Sequence, residues 1–243
     1  MRLINDKGEK MYNGVNKIKP PYFEVGPKAY LWGEDMLKLA KVIDRAAIKY
    51  DVDVIVTPQY TDIKLLADNT ERIFVFAQHM DCLLPGRGLG SVLPEAVKAA
   101  GAKGVMLNHA EKPLTLEVVE KTVRRAEEVG LMTIVCADTV DDIKKIAKIG
   151  PDMIVAEPTE LIGTGKTSSA NYVVDTIKTV RDINPDITVL QGAGISNGED
   201  VYNTIKLGAQ ATGSTSGIIK ATDPYKMVDE MLYNLRKAWD ELH

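Results

Sequence analysis

The stretch that decides the fold is residues 130–158, GLMTIVCADTVDDIKKIAKIGPDMIVAEP. It contains two short runs of β-branched and apolar residues, Met132–Cys136 and Met153–Glu157, with a longer segment of helical period between them. Gly130 and Gly150 stand just before these runs, where glycine can take the left-handed conformation that ends a helix. Strand, helix and strand in this order are typical of a βα unit and of a parallel sheet.

The same alternation of strands and helices continues along most of the chain. Gly101 and Gly208 precede two further strands in the way that Gly130 and Gly150 do. The apolar stripe of the first helical segment consists of Met36, Leu39, Ala40, Ile43 and Ala47. The eight candidate strands are Tyr22–Gly26, Asp53–Thr57, Ile73–Ala77, Gly104–Asn108, Met132–Cys136, Met153–Glu157, Ile187–Gln191 and Ala211–Ser214.

Two helix starts are also marked in the sequence. Ser196, with Glu199 three residues later, has the pattern of a capping box, and Asp223 precedes Pro224 at a first helical position. No linker rich in serine, glycine or proline interrupts the series of βα units. Eight such units without a second boundary favour one closed (β/α)₈ barrel of the α/β class over an open doubly wound sheet.

Length, composition and charge agree with a single barrel. Residues 1–20 fall outside the pattern and are predicted to form a polar N-terminal arm, so that the barrel domain spans residues 21–243. The chain has 45% apolar residues, enough for one large core. Its net charge of −4, with lysine and arginine in ones and twos, argues against binding to nucleic acid or membrane surfaces. The expected partner is a small molecule.

The cysteine content and the hydropathy predict the compartment of the protein and whether it needs a metal. Cys82 and Cys136 lie far apart, so neither a disulfide framework nor a zinc cluster is expected. No apolar run approaches the roughly 18 residues of a membrane span, and the first residues are polar rather than signal-like. We expect a soluble, cytoplasmic protein that needs no metal and no cofactor.

Three ionisable residues lie where strands of a barrel end, at the face where its active site is usually built. Lys28 follows the first strand, His109 follows the fourth, and Glu157 ends the sixth. A carboxylate that closes an apolar run is desolvated, which raises its pKa and suits a general base, while a histidine can polarise a carbonyl. The alternatives are a static ion pair between Glu157 and Lys28 and a purely structural histidine.

Glycine-rich turns follow strands six, seven and eight, at residues 162–165, 192–194 and 213–217. Such turns expose backbone N–H groups, and barrels frequently bind phosphate with the loops after strands seven and eight. Glycine is also useful in any tight turn between a strand and a helix. Three such turns together predict a phosphorylated substrate.

At these positions the sequence resembles the triosephosphate isomerase family, especially its archaeal-type members. The resemblance extends from about Phe23 to Leu235 and is densest in Ala77–His79, Leu107–Glu111, Thr133–Cys136, Glu157–Gly165 and Gly192–Ile195. It implies an intramolecular oxidoreductase that interconverts glyceraldehyde 3-phosphate and dihydroxyacetone phosphate through an enediol, a step of glycolysis and gluconeogenesis.

The resemblance also implies roles for individual residues. Glu157 matches the general base, His109 the electrophile, Lys28 the cation that holds the substrate oxygens, and Glu111 an acid of the same catalytic group. Residues 158–165 resemble a lid that closes over the substrate and excludes water. The positions that match the phosphate-binding backbone are Gly165, Ala193, Gly194, Thr215 and Ser216.

The sequence departs from the family at several places around this site. Gly26 stands where the family has asparagine, Ala110 where it has serine, and Leu89 where archaeal members have a threonine that reaches the neighbouring subunit. Gly213 and Ser214 replace apolar residues. We expect isomerase chemistry to be retained, and enlarged space beside Gly26 would suit a larger sugar. The alternatives are an isomerase of a four-carbon sugar phosphate, a non-catalytic phosphate-binding barrel, or another barrel enzyme such as a synthase.

The long loop Met80–Gly90 after the third strand carries Leu83, Leu84 and Leu89 where polar residues would be usual. Long loops in compact domains are commonly functional or interfacial. Together with the family resemblance, the loop predicts a homodimer or homotetramer in which it docks on another subunit. The alternative is that these leucines fold back onto their own barrel.

Overall fold

Eight parallel strands of the chain close into a barrel. The computed structural model describes residues 3–4, 10–12 and 15–243, with side chains from residue 17 onward. Each barrel strand pairs with its neighbours in sequence, and the last pairs with the first, with Ala211 opposite Tyr22. The strands are β1 (Tyr22–Val25), β2 (Asp53–Val56), β3 (Phe74–Ala77), β4 (Gly104–Leu107), β5 (Met132–Ala137), β6 (Met153–Ala156), β7 (Thr188–Gln191) and β8 (Ala211–Ser214).

All eight predicted strands are confirmed, each end within one residue. The differences have a common cause at the carboxyl ends, where Gly26, Thr57, Asn108 and Glu157 lie just beyond their strands. These residues leave the ladder because the chain turns there toward the helix that follows. They are therefore residues of the barrel mouth.

Helices follow every strand and pack around the barrel. The predicted glycine positions are confirmed, since Gly101, Gly130, Gly150 and Gly208 all have positive φ. Asp223 caps the last helix by accepting N–H groups of the first turn, as predicted. The helices are α1 (Gly33–Tyr50), α2 (Ile63–Ala67), α3 (Pro94–Ala99), α4 (Leu116–Val129), α5 (Val140–Ile149), α6 (Ala170–Ile183), α7 (Gly198–Lys206), α8 (Ser216–Ile219) and α9 (Pro224–Asp240).

The capping box predicted at Ser196 and Glu199 is wrong by one residue. Asn197 is the N-cap of α7, and its side-chain oxygen accepts the N–H of Asp200 at 3.0 Å. The Asp200 carboxylate in turn accepts the N–H of Ser196 at 2.9 Å. The sequence Ser-Asn-Gly-Glu-Asp contains two possible pairs of a capping residue and an acid three residues later. They are Ser196 with Glu199 and Asn197 with Asp200. The Ser196 hydroxyl is used elsewhere, in a hydrogen bond to a carbonyl of the preceding turn.

The core has two layers, one inside the barrel and one between the sheet and the helices. The ring of Phe76 fills the centre beside Gly104, where a Cβ atom would lie 2.5 Å from that ring. Ile18 is 3% exposed and belongs to this inner cluster, although it precedes the first barrel strand. The arm boundary at residue 20 remains a prediction. Short antiparallel strands pair within the earlier segment: Leu3–Ile4, Lys10–Tyr12 and Val15–Asn16.

Helix α1 packs its apolar face against the barrel. Apolar residues of α1, including Met36, Leu39 and Ile43, are buried against the barrel as the stripe predicted. Within the described ranges, no helix combines the length and the apolar character needed to cross a bilayer.

Candidate active site

A cavity of about 470 Å³ opens at the mouth of the barrel, where the carboxyl ends of the strands meet. Lys28, His109 and Glu157 all line it, although they come from different parts of the chain. The same cavity is lined by the turns that follow β7 and β8. Ile162 and Gly163 of the turn after β6 line it as well, so the structure brings the three ionisable residues chosen from the sequence together with residues of all three glycine-rich turns.

Lys28 is held by its backbone in an uncommon conformation. Its φ of 49° lies in the left-handed region, and its carbonyl accepts hydrogen bonds from the amides of Gln59 at 2.7 Å and Gln78 at 2.9 Å. The ammonium group forms an ion pair of 2.6 Å with Glu111. The alternative of a static pair with Glu157 is therefore not what the structure shows. The Lys28 side chain is 23% exposed, so its cation is available to a ligand in the cavity.

His109 is positioned by the residue before it and by the turn after it. The Asn108 side chain donates to the Cys136 carbonyl and accepts the N–H of Leu114, both at 2.9 Å, which fixes the start of the loop. The N–H of Glu111 lies 3.1 Å from Nδ1 of His109. Because a nitrogen that accepts a hydrogen bond carries no proton, Nε2 is the protonated nitrogen of the neutral ring.

The electrostatic surroundings favour this neutral form. Burial lowers the pKa of the His109 imidazole, and the Lys28 cation lowers it further. The Nε2 atom lies 4.0 Å from Oε2 of Glu157. A neutral imidazole with its N–H directed into a cavity can donate a hydrogen bond to a carbonyl oxygen.

Glu157 presents a carboxylate to the cavity from the end of β6. Its side chain is 17% exposed, and Oε1 accepts the backbone N–H of Ala193 at 3.0 Å. A Cβ atom at Gly192 would lie 3.1 Å from the carboxyl group, so this glycine leaves room for it. Burial raises the pKa of Glu157, while the Ala193 N–H and the Lys28 cation act in the opposite direction. Such a carboxylate is a stronger base than one in water.

Glu111 differs from the other three in its exposure. Its side chain is 62% exposed, and the hydrogen bond from Lys28 lowers the pKa of its carboxyl. It lines the rim of the cavity and fixes the position of the Lys28 ammonium. Its backbone N–H, rather than its carboxylate, is what orients the histidine.

The predicted phosphate-binding positions fall into two groups. Four of them line the cavity, namely Ala193, Gly194, Thr215 and Ser216. Gly165 lies in an adjoining groove, which Ser216 also lines. The N–H of Ala193 donates to the Glu157 carboxylate. The backbone donors that remain predicted for phosphate are therefore those of Gly165, Gly194, Thr215 and Ser216. Gly194 has φ +72°, and a Cβ atom there would lie 2.0 Å from the carbonyl of Lys166, the residue after the predicted lid.

The predicted lid, residues 158–165, begins directly after Glu157. It starts with a 3₁₀ turn at Thr159–Leu161, and the N–H of Thr159 donates to Asp138 at 3.1 Å. Ile162 and Gly163 line the cavity, and Gly163 and Gly165 have positive φ. The segment therefore joins the base to the groove beside the cavity.

Glu24 is the acid that inspection of strand ends missed. It lies inside β1 and is 8% exposed, yet its carboxyl group lines the cavity. Thr57 donates its hydroxyl to Oε1 at 2.9 Å. Burial, with the neighbouring Glu157 charge, raises the pKa of Glu24 to about 7. A charged residue within the apolar run Tyr-Phe-Glu-Val was the signal in the sequence.

The position of Glu24 also shows that the prediction of enlarged space beside Gly26 is wrong. A Cβ atom at Gly26 would lie 2.9 Å from Oε1 of Glu24 and 3.2 Å from the Thr215 hydroxyl. The volume left by the missing side chain is therefore filled by a carboxyl group. It does not enlarge the cavity for a longer sugar.

The loop after β3 leaves two of its three leucines uncovered. Leu84 is 67% exposed and Leu89 is fully exposed, whereas Leu83 is half-buried near Gly88. Asp81 fixes the loop by accepting the N–H of Val92 at 2.7 Å. Leu83 thus folds back onto its own loop, and the other two do not.

Comparison with known proteins matches this geometry to one family. A sequence model described as triosephosphate isomerase matches residues 27–231. The chain belongs to the triosephosphate isomerase family. It is 40% identical over 203 residues to the triosephosphate isomerase of Methanothermus fervidus, covering 82% of this chain and 91% of that protein. It is 37% identical over 227 residues to that of Sulfurisphaera tokodaii, covering 92% and 99%.

A solved structure supports the fold separately from the sequence. The crystal structure of triosephosphate isomerase from Bartonella henselae superposes with a TM-score of 0.71. It shares 17% sequence identity with this chain and covers 88% of this chain and 99% of its own. At this identity the likeness shows the barrel alone. Membership of the triosephosphate isomerase family, with its sugar-phosphate substrates, follows from the sequence matches.

Proposed function

We propose that this protein interconverts glyceraldehyde 3-phosphate and dihydroxyacetone phosphate. The observation that carries the proposal is the pairing of a desolvated carboxylate, Glu157, with a neutral histidine, His109, across one cavity at 4.0 Å. Isomerisation of an α-hydroxy carbonyl needs a base for a carbon-bound proton and a donor for the carbonyl oxygen. These two side chains supply both.

The reaction follows from where these groups lie. The Glu157 carboxylate removes a proton from the carbon beside the carbonyl, while the Nε2–H of His109 hydrogen bonds the carbonyl oxygen as it gains charge. The carbonyl oxygen takes the Nε2 proton to give an enediol, Nε2 recovers a proton from the neighbouring hydroxyl, and Glu157 returns its proton to the former carbonyl carbon. The carbonyl and hydroxyl groups exchange positions, so no external oxidant or reductant is consumed. The Lys28 cation stabilises the developing negative charge.

The turns after β7 and β8 are proposed to hold the phosphate group. Backbone N–H groups of Gly194, Thr215 and Ser216 stand beside the cavity, and Gly165 adds its own if residues 158–165 close over the substrate. Closure excludes water, which protects an enediol phosphate from losing its phosphate. The chemistry requires no metal, and we expect full activity in the presence of a chelator.

We also propose a cytoplasmic homo-oligomer, a dimer or tetramer, in which the Met80–Gly90 loop docks on another subunit. The support is the exposure of Leu84 and Leu89, whose burial would remove apolar surface from water at about 25 cal/mol per Å². Light scattering of the purified protein tests this assembly. A fully active monomer would contradict the docking role of the loop.

The test of the proposed function is an assay of the purified protein with triose phosphates and with a four-carbon ketose phosphate in parallel. We expect isomerisation of the triose phosphates, with kcat/KM at least about tenfold above that for the tetrose phosphate. Preference for the tetrose would assign the alternative substrate. Absence of turnover with either, in a protein that still binds phosphate, would identify a non-catalytic phosphate-binding barrel.

A further inference from the structure

The wall of the cavity between β1 and β8 has a carboxyl group that the proposed proton transfer does not use. Glu24 reaches this wall from within β1, whose four residues are all buried. Its neighbours are the hydroxyls of Thr57 and Thr215 and the backbone of Gly26 and Gly213. Burying a carboxyl group costs free energy unless it is fully hydrogen bonded, so a partly bonded one in a cavity wall indicates a contact with a ligand.

Two glycines shape the space that this carboxyl group occupies. A Cβ atom at Gly26 would lie 2.9 Å from Oε1 of Glu24, and one at Gly213 would lie 3.1 Å from Oε2. A side chain at either position would therefore collide with the carboxyl group or displace it. Glu24 holds the volume into which a side chain at position 26 would project, between β1 and the turn after β8.

The hydrogen bonding of the Glu24 carboxyl group is incomplete. Oε1 accepts the Thr57 hydroxyl at 2.9 Å. Among the residues that the structure describes, Thr57 is the one that hydrogen bonds this carboxyl group, and it does so through Oε1. The group that lines the cavity thus retains one oxygen for a ligand.

We propose that Glu24 is a further substrate-binding residue of this site, whose carboxyl group hydrogen bonds an oxygen of the sugar part of the phosphorylated substrate. It takes the place of a polar side chain at position 26. This inference rests on the proposed function for the identity of the substrate, but the contact itself requires only a phosphorylated ligand with a hydroxyl or carbonyl oxygen.

The carboxyl group acts in its protonated form, as a hydrogen-bond donor. The charged groups that face it are Glu157 from β6 and Lys28 from the loop after β1, with the buried Cys136 thiol from β5 beside them. Two carboxylates and a phosphate dianion in one cavity repel one another, which favours protonation of one carboxylate. Glu157 must be ionised to act as a base, so Glu24 is the one that holds the proton.

The first test compares Glu24→Ala with Glu24→Gln. Because the contact is made with substrate and transition state alike, Glu24→Ala should raise KM for glyceraldehyde 3-phosphate by about 10- to 100-fold with kcat changed by less than about threefold. Glutamine keeps a donor of the same shape and should keep KM within about threefold of the unchanged protein. A KM unaffected by alanine would overturn the proposal.

The pH profile separates a substrate contact from a structural role. As pH rises through about 7, Glu24 ionises and loses its donor, so kcat/KM of the unchanged protein should decline. Glutamine does not ionise, so the ratio of kcat/KM for Glu24→Gln to that of the unchanged protein should rise between about pH 6 and pH 9. A constant ratio would contradict the donor role, even if Glu24→Ala failed to fold.

A binding experiment distinguishes failure of this inference from failure of the proposed function. Calorimetry at about pH 6.5 would compare glycerol 3-phosphate with inorganic phosphate as ligands. Glu24→Ala should weaken glycerol 3-phosphate by about tenfold or more and leave inorganic phosphate within about twofold, since only the former reaches Glu24. Equal changes for the two ligands would overturn the inference, whatever the turnover. If the two ligands show the predicted contrast but the unchanged protein has no turnover, the proposed function fails and this inference stands.

Discussion

The two sides of the barrel mouth differ in how they relate to the family. On the side of β4 and β6, His109, Glu111 and Glu157, which the resemblance assigns to the catalytic group, line the cavity together. On the side of β1 and β8, Gly26 and Gly213 depart from the family, and Glu24 fills the space between them. We therefore expect proton transfer and substrate contact to depend on different sides of one site.

The physical reason lies in what each side has to supply. A base and an electrophile must be held close to the reacting carbons, because small displacements cost large factors in rate. A wall that contacts the remaining substrate oxygens can be rebuilt with another donor at modest cost. At Gly26 and Gly213 the Glu24 carboxyl group accordingly occupies the space beside the backbone, while Glu157 and His109 keep the arrangement proposed for proton transfer.

Removing the base should have the largest effect on the catalytic side. Glu157→Gln deletes the carboxylate without changing the shape of the side chain, and we expect kcat to fall by about 10⁴-fold. Its raised pKa also predicts that kcat/KM of the unchanged protein declines as pH falls through that pKa, because the base is then protonated.

Steady-state kinetics with Glu120→Gln as the control would measure this effect. Glu120 is exposed on α4, remote from the cavity lining, and its substitution should leave kcat unchanged. An active Glu157→Gln protein would show that the base lies on the other side of the mouth, with Glu24 as the first candidate.

Replacing the electrophile should have a smaller but still large effect. His109→Gln retains a donor but not the neutral imidazole set by the N–H of Glu111, and kcat should fall by about 10²- to 10³-fold. The matched control is His243→Gln, at an exposed position near the end of α9. Comparable rates for His109→Gln and this control would remove the histidine from the mechanism and leave Lys28 to polarise the carbonyl.

Much of the candidate site could be predicted from the sequence, because strands and helices alternate regularly along the chain. Alternating strand and helix patterns place strand ends at one face, so Lys28, His109 and Glu157 were found by position alone. Glu24 was missed because it lies inside β1, whereas the candidate residues were taken from strand ends alone. The space beside Gly26 could not be predicted, since a neighbouring side chain fills it and contacts between strands are invisible in one sequence.

The exact cap of α7 shows a second limit. Two overlapping cap and acid pairs occur in the same five residues, and the choice between Ser196 and Asn197 depends on a hydrogen bond to the preceding turn. Tertiary contacts settle such local alternatives.

The smallest expected effect concerns Glu111 at the exposed rim. Because its side chain is 62% exposed, its pair with Lys28 contributes little stability, and the Lys28 backbone is held independently by two glutamine amides. Glu111→Gln should raise KM by less than about tenfold and leave the melting temperature nearly unchanged. Kinetics and thermal melts would check both. A loss as large as that of His109→Gln would place Glu111 with the catalytic pair.

The central claim, that Glu157 carries a proton between adjacent carbons, is tested most directly by turnover in deuterium oxide. Isomerisation of glyceraldehyde 3-phosphate there, followed by proton NMR, should give dihydroxyacetone phosphate with deuterium at the carbon that receives the proton. The Glu157→Gln protein should give no exchange above the rate of the buffer. Deuterium incorporation and turnover by the Glu157→Gln protein at the rate of the unchanged protein would place the base elsewhere and contradict the account.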